Sequence, residues 1–174
     1  MEKQRTMISE TYRQQLYQYR GINKDWGQTV KTKVFDIECF ATDNACRTML
    51  DFGSGAGILS QKLKEKFKIT EYDIGIVGKN ILPDDNFDMT VCVDVMEHVE
   101  PNYINQTLDW IRLHTSKVAF FTICCIPSKG HFANGSNLHK TVCPPEYWLG
   151  KLSSRFSHVI YHGNSNAITI KCKC

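Results

Sequence analysis

Leu50-Asp51-Phe52-Gly53-Ser54-Gly55-Ala56-Gly57 is the stretch that decides the fold of this chain. An apolar run over 48–52 carries one acid near its end and then breaks into three alternating glycines. Beyond the turn, Ile58, Leu59, Leu63 and Phe67 recur at helical spacing, which predicts a helix over 58–67. A strand, a glycine turn and a helix N-terminus together let main chain approach a ligand closely, because glycine has no Cβ and tolerates positive φ. Two phosphate sites are excluded. A dinucleotide fingerprint needs a third glycine where Ile58 stands, and a P-loop needs Gly-Lys-Ser/Thr, which is absent. Asp51 would repel a pyrophosphate and suits a ligand with a cationic end.

Working outward, the pattern alternates. A polar helix is expected over residues 1–20, with Tyr12, Leu16 and Tyr19 on one side, and a second helix over 30–40. Strands follow at 48–52, 68–72, 88–93 and 117–124, with helices at 58–67 and 101–114 between them and a helix at 144–154 after the last. Pro101 and the pair Pro144-Pro145 stand at helix starts. Two last strands, 156–162 and 167–172, flank Gly163-Asn164-Ser165-Asn166, a hairpin signal. Strands alternating with helices argue for an α/β fold with a mostly parallel sheet. About fifteen residues separate Asp73 from the strand at Asp88, too few for a full crossover through a helix and another strand.

The length of 174 residues fits one domain with a substantial core. A net charge of +3 is mild and does not by itself argue for nucleic acid. Residues 1–10 are polar and charged, which points away from an export signal, and no apolar run reaches the ~20 residues that span a bilayer. The eight cysteines form no Cys-x-x-Cys pair and read as reduced thiols of a cytoplasmic protein. Cys172-x-Cys174 has poor spacing for a structural zinc site.

The residues Asp51, Gly53, Ser54, Gly55 and Gly57 resemble the class I S-adenosylmethionine (SAM) methyltransferases. In that family an acid at the end of the first strand and a Gly-x-Gly-x-Gly turn hold the amino-acid end of SAM. The segment from Asn86 to Val99, with Phe87-Asp88 and Glu97-His98-Val99, is similar to the family's fourth strand and the loop beside the transferred methyl. The resemblance implies a Rossmann-like three-layer sandwich. Its mostly parallel sheet would end in an antiparallel hairpin, and this chain departs from the family in a shortened crossover between the second and fourth strands. Residues 1–174 would form one methyltransferase domain, with 1–46 a helical cap and 47–174 the SAM-binding core.

Asp73, 22 residues after Asp51, stands where the family's ribose-binding acid stands, although Glu71-Tyr72-Asp73 leaves open which carboxylate faces the ligand. Asp94 would lie beside the methyl group. Trp26, next to Gly27, would cover SAM from above or serve packing alone. Asp94, Glu97 and His98 with the later His139 resemble the metal-binding set of the small-RNA 3′-terminal 2′-O-methyltransferases, which implies a divalent metal at these four residues. Asp94 is one carbon shorter than the glutamate of that set. The alternatives are that Glu97 and His98 only brace the loop, or that His98 or His139 acts as a metal-free general base. Trp148 would line the acceptor pocket or belong to the core.

The expected activity is methyl transfer from SAM to an oxygen or nitrogen acceptor, most readily a small molecule. An RNA ribose 2′-hydroxyl remains open, although Lys and Arg form no clear stripe. A non-catalytic SAM-sensing domain is the other alternative. No Asn/Asp-Pro-Pro-Tyr element follows the strand at 88–93, so gripping of a flipped base is not expected.

Overall fold

The apolar run before the glycine turn forms β1 (Thr48–Phe52), which lies inside the sheet. The computed structural model describes residues 7–22 and 27–174. β1 pairs in parallel with β2 (Lys68–Tyr72) on one side and β3 (Phe87–Val93) on the other. β3 pairs in parallel with β4 (Thr115–Cys124). β6 (Ala167–Lys173) then runs antiparallel to β4, and β5 (Ser157–Gly163) antiparallel to β6. The order across the six strands is β2-β1-β3-β4-β6-β5. The mostly parallel sheet with an antiparallel end is the architecture the sequence implies.

The helices are α1 (Glu10–Ile22), α2 (Val34–Asp43), α3 (Ile58–Leu63), α4 (Ile104–Leu113) and α5 (Pro145–Ser153). Strand side chains alternate between faces, so adjacent residues enter different cores. Met49, Met89, Val91 and Phe120 pack with Ile37 and Ala41 of α2 and with Leu59 and Leu63 of α3. Leu50, Phe52, Cys92 and Phe121 pack on the opposite face with Leu108 and Ile111 of α4 and with Trp148 and Leu152 of α5. A sheet buried on both faces explains why β1 and β4 read as apolar runs rather than as alternating patterns. Trp148 is fully buried and belongs to this core.

Several boundaries differ from the periodicity. α3 stops at Leu63, and the chain turns through 64–67 while keeping Phe67 buried. The helix expected over 30–40 starts as a 3-10 turn at Thr29–Thr32 before α2, where β-branched Thr29, Val30, Thr32 and Val34 disfavour a regular start. Another 3-10 turn, Pro101–Tyr103, precedes α4.

Residues 73–86 contain neither helix nor strand, so the crossover is shortened and β2 is a sheet edge. α1 lies against this end of the molecule. Its Tyr12 and Leu16, with Ile8, join Phe132 and Leu138 of the loop after β4 in a third apolar cluster. The Ser9 amide and hydroxyl both donate to the Glu100 carboxylate, at 2.7 and 2.8 Å, and fix the start of α1. Among the described residues no helix is long and apolar enough to cross a membrane.

Candidate active site

From β1, the chain leads to β2 on one side, while β3 lies on the other. A crevice therefore opens at the carboxyl ends of β1 and β3, the usual ligand position in open α/β sheets. The glycine turn forms its floor. Gly53 and Gly57 have φ of +83° and +73°. A Cβ on Gly53 would lie 2.2 Å from Val95 Cγ2 and clash, and one on Gly57 would lie 2.4 Å from Glu71 Oε1 and displace that carboxylate. The amides of Gly53 and Ser54 both donate to the Tyr72 carbonyl, at 2.7 and 3.0 Å, and tie the turn to the end of β2.

One half of the crevice is a cavity of about 340 Å³ lined by Asp51, Gly53, Ser54, Asp94, Glu97, His98, Cys124 and His139. Asp51 is 4% exposed. Burial pushes its carboxyl up to about 7, repulsion from Glu71 and Asp73 adds to this, and Lys79 opposes it. The Ser54 hydroxyl is buried with no hydrogen-bond partner. Gly27 and Gln28 close the far wall; a Cβ on Gly27 would come within 3.4 Å of Gly55 Cα. Trp26 lies outside the described residues.

The other half, about 60 Å³, is bounded by Asp73, Ile74, Val95 and α1. Asp73 faces it, whereas Glu71 does not. Glu71 instead pairs with Lys79 at 2.7 Å, and the Lys79 ammonium also donates to the Gly55 carbonyl at 3.1 Å. Asp73 is fully buried and accepts from the Gly55 and Gly75 amides, each at 2.9 Å, and from Arg20 Nη1 at 2.5 Å. Neither Arg20 nor Lys79 announces itself in sequence, because Arg20 reaches Asp73 and Lys79 reaches Gly55 across a long stretch of chain.

Beyond β3 the backbone of Asp94 adopts φ of +53°. Its carboxylate accepts the Thr122 hydroxyl at 2.5 Å. The 3-10 turn Met96–His98 then presents Glu97 and His98, and the loop after β4 returns with His139. The ligand atoms of Glu97, His98 and His139 all lie within 4.8 Å of one another. Asp94 does not belong to this cluster, so three of the four residues expected to hold a metal come together. Glu97 Oε1 accepts the Cys124 amide at 3.1 Å, while buried Oε2 has no partner. Burial and the nearby Asp94 push Glu97 up to about 8. Burial, helped by His139, pulls His98 down to about 4. His98 Nδ1 meets the Leu138 carbonyl at 3.0 Å and His139 Nδ1 meets that of Ile126 at 2.7 Å. With each Nδ1–H donated to a carbonyl, the ring lone pair resides on Nε2.

The loop is shaped by Asn137, whose Oδ1 accepts the Ser128 and His139 amides at 3.0 and 2.9 Å. Its Nδ2 donates to the Ser128 carbonyl at 2.7 Å. The Glu97 carbonyl accepts the Lys140 and Thr141 amides, joining both halves of the cluster. Among the described residues this is the one group of three or more metal-ligating side chains, and all eight cysteines are free.

The strand order, the switch-point crevice and the antiparallel last strand can be matched to known structures. No protein family and no curated protein matches this chain by sequence. Among solved structures, the N-methyltransferase NodS from Bradyrhizobium japonicum, in complex with S-adenosyl-L-homocysteine, is similar with a TM-score of 0.64. The identity is 12%, covering 93% of this chain and 97% of that one. The fold is that of the class I SAM methyltransferases. A SAM-dependent methyltransferase from Archaeoglobus fulgidus (TM-score 0.62, 16% identity, 91% and 99% covered) shares it. So does the 1,6-didemethyltoxoflavin N1-methyltransferase of Burkholderia thailandensis (0.61, 15%, 94% and 88%).

Proposed function

We propose that this protein transfers the methyl group of SAM to an oxygen or nitrogen of a small molecule. The observation that carries this reading is one crevice holding both Asp51 with its glycine turn and the Glu97–His98–His139 cluster. The residues fit the cofactor's amino-acid end. An ionised Asp51 matches an ammonium, and the orphaned Ser54 hydroxyl and the bare turn supply polar groups to the same moiety. Asp73 is the acid for the ribose, and Asp94 stands between the two halves of the crevice. Two structurally similar proteins are named for N-methylation, one of them with the small molecule 1,6-didemethyltoxoflavin bound, which supports a small-molecule acceptor.

SAM supplies a methyl already activated on a sulfonium. The protein therefore holds the acceptor about 3–3.5 Å from the methyl carbon and takes up a proton. An imidazole Nε2 of His98 or His139 performs the second task as a neutral base. The cluster also fits a divalent cation. Unpartnered Glu97 Oε2 and the two Nε2 atoms make a carboxylate-and-imidazole donor set suited to ions such as Mn²⁺ or Zn²⁺. Such an ion lowers the pKa of a hydroxyl acceptor.

Titration calorimetry with SAM tests the reading. Asp51→Ala and Gly53→Val are expected to abolish binding, and wild-type affinity in either variant would refute it. Titration with Mn²⁺ tests the cluster separately: Glu97→Gln should lose cation binding while SAM still binds.

A further inference from the structure

The two halves of the crevice differ sharply in room. The half beside Asp51 offers about 340 Å³, and the half beside Asp73 about 60 Å³, space for a few waters and not for a nucleoside. The missing room is taken by Met7, Ile8, Tyr12 and Leu16, each 5% exposed or less. Arg20, near the other end of α1, reaches the Asp73 carboxylate. Its side chain lies over Gly75, where a Cβ would come within 2.9 Å of Arg20 Nε. Asn80 Nδ2 adds a hydrogen bond to the Tyr17 hydroxyl at 3.1 Å. The short 73–86 crossover thus receives the second half of α1, and Ser9 with Glu100 anchors the first.

We infer that α1 is a gate on the nucleoside half of the crevice, and that Arg20 holds on Asp73 the place that a ribose diol takes when the gate opens. The inference rests on the SAM reading and goes beyond it. A carboxylate offers about four acceptor positions, and three on Asp73 are already used. A ribose cannot add two hydrogen bonds while Arg20 stays. A guanidinium can turn two of its N–H donors to one carboxylate, and a vicinal diol its two O–H donors. Exchange of one for the other keeps the buried carboxylate satisfied, whereas loss of Arg20 alone does not. The methionine half needs no such exchange, so the gate acts on one end of the cofactor only.

Hydrogen exchange of the wild-type protein, with methionine, adenosine or S-adenosylhomocysteine added separately, tests the gate. Adenosine and S-adenosylhomocysteine are expected to raise exchange across 16–22, and methionine to leave it unchanged. In Arg20→Ala, a larger open fraction should tighten and speed adenosine binding by about tenfold. Methionine affinity should stay the same. S-adenosylhomocysteine binding to the wild type with 16–22 unchanged or more protected would overturn the gate and leave the cofactor reading standing. So would weaker adenosine binding by Arg20→Ala. Failure of both proteins to bind S-adenosylhomocysteine would overturn both.

Discussion

Asp51 sits in the crevice at an electrostatic disadvantage that a cationic ligand removes. Burial and two neighbouring acids hold its carboxyl near 7, so in the ligand-free protein at neutral pH it is about half protonated. An ammonium placed beside it would favour ionisation. SAM affinity should therefore fall as pH drops from 8 to 6, with proton release on binding that is largest below pH 7. Calorimetry in two buffers of different ionisation enthalpy would measure that release. At Gly57 the constraint is steric. Its φ of +73° and the close Glu71 carboxylate make Gly57→Ala costly, on the order of 1–3 kcal/mol in chemical denaturation. The same change displaces the Glu71–Lys79 pair that supports Gly55, so SAM affinity should drop at least several-fold.

At the scale of elements, β1, its turn and α3 were legible because local rules agree there: an apolar run, glycines at fixed offsets and helical periodicity. Asp88 was likewise readable as a strand-start acid. It accepts the Arg47 and Thr48 amides at 2.7 and 3.2 Å and pairs with Lys117. The spacing of Asp94, Glu97 and His98 would bring all three together if they lay on one continuous helical turn. The positive φ of Asp94 rules that out, since the 3-10 turn begins only at Met96. Arg20 and Lys79 were not legible because their partners are distant in sequence and follow no period. Asn137 was visible only as a neighbour of His139, yet it staples the loop through three hydrogen bonds. Asn137→Ala should loosen 126–143 by about 1–3 kcal/mol of local opening energy, read as faster amide exchange there. Mn²⁺ affinity should fall with it, because His139 loses its anchor, while SAM affinity changes little.

The whole molecule links these sites to its stability. The folded-state pKa of Asp51 lies above that of an unfolded aspartate, near 4. Its contribution is therefore full below pH 4 and is lost as pH rises through 7. The ligand-free protein should accordingly be strained at pH 8 in a way that Asp51→Asn relieves. The melting temperature of that variant should exceed the wild type's by more at pH 8 than at pH 5.5. Ligand acts on the wild type alone. S-adenosylhomocysteine at 100 times its Kd adds about 2.7 kcal/mol to a protein that binds it only when folded. For a chain of this size that is a rise of roughly 5–10 °C in melting temperature. The wild type should show this rise at pH 8 and the asparagine variant none. An equal ligand-induced rise in both would mean that Asp51 does not hold the amino group, since the neutral amide lacks the charge on which the match depends.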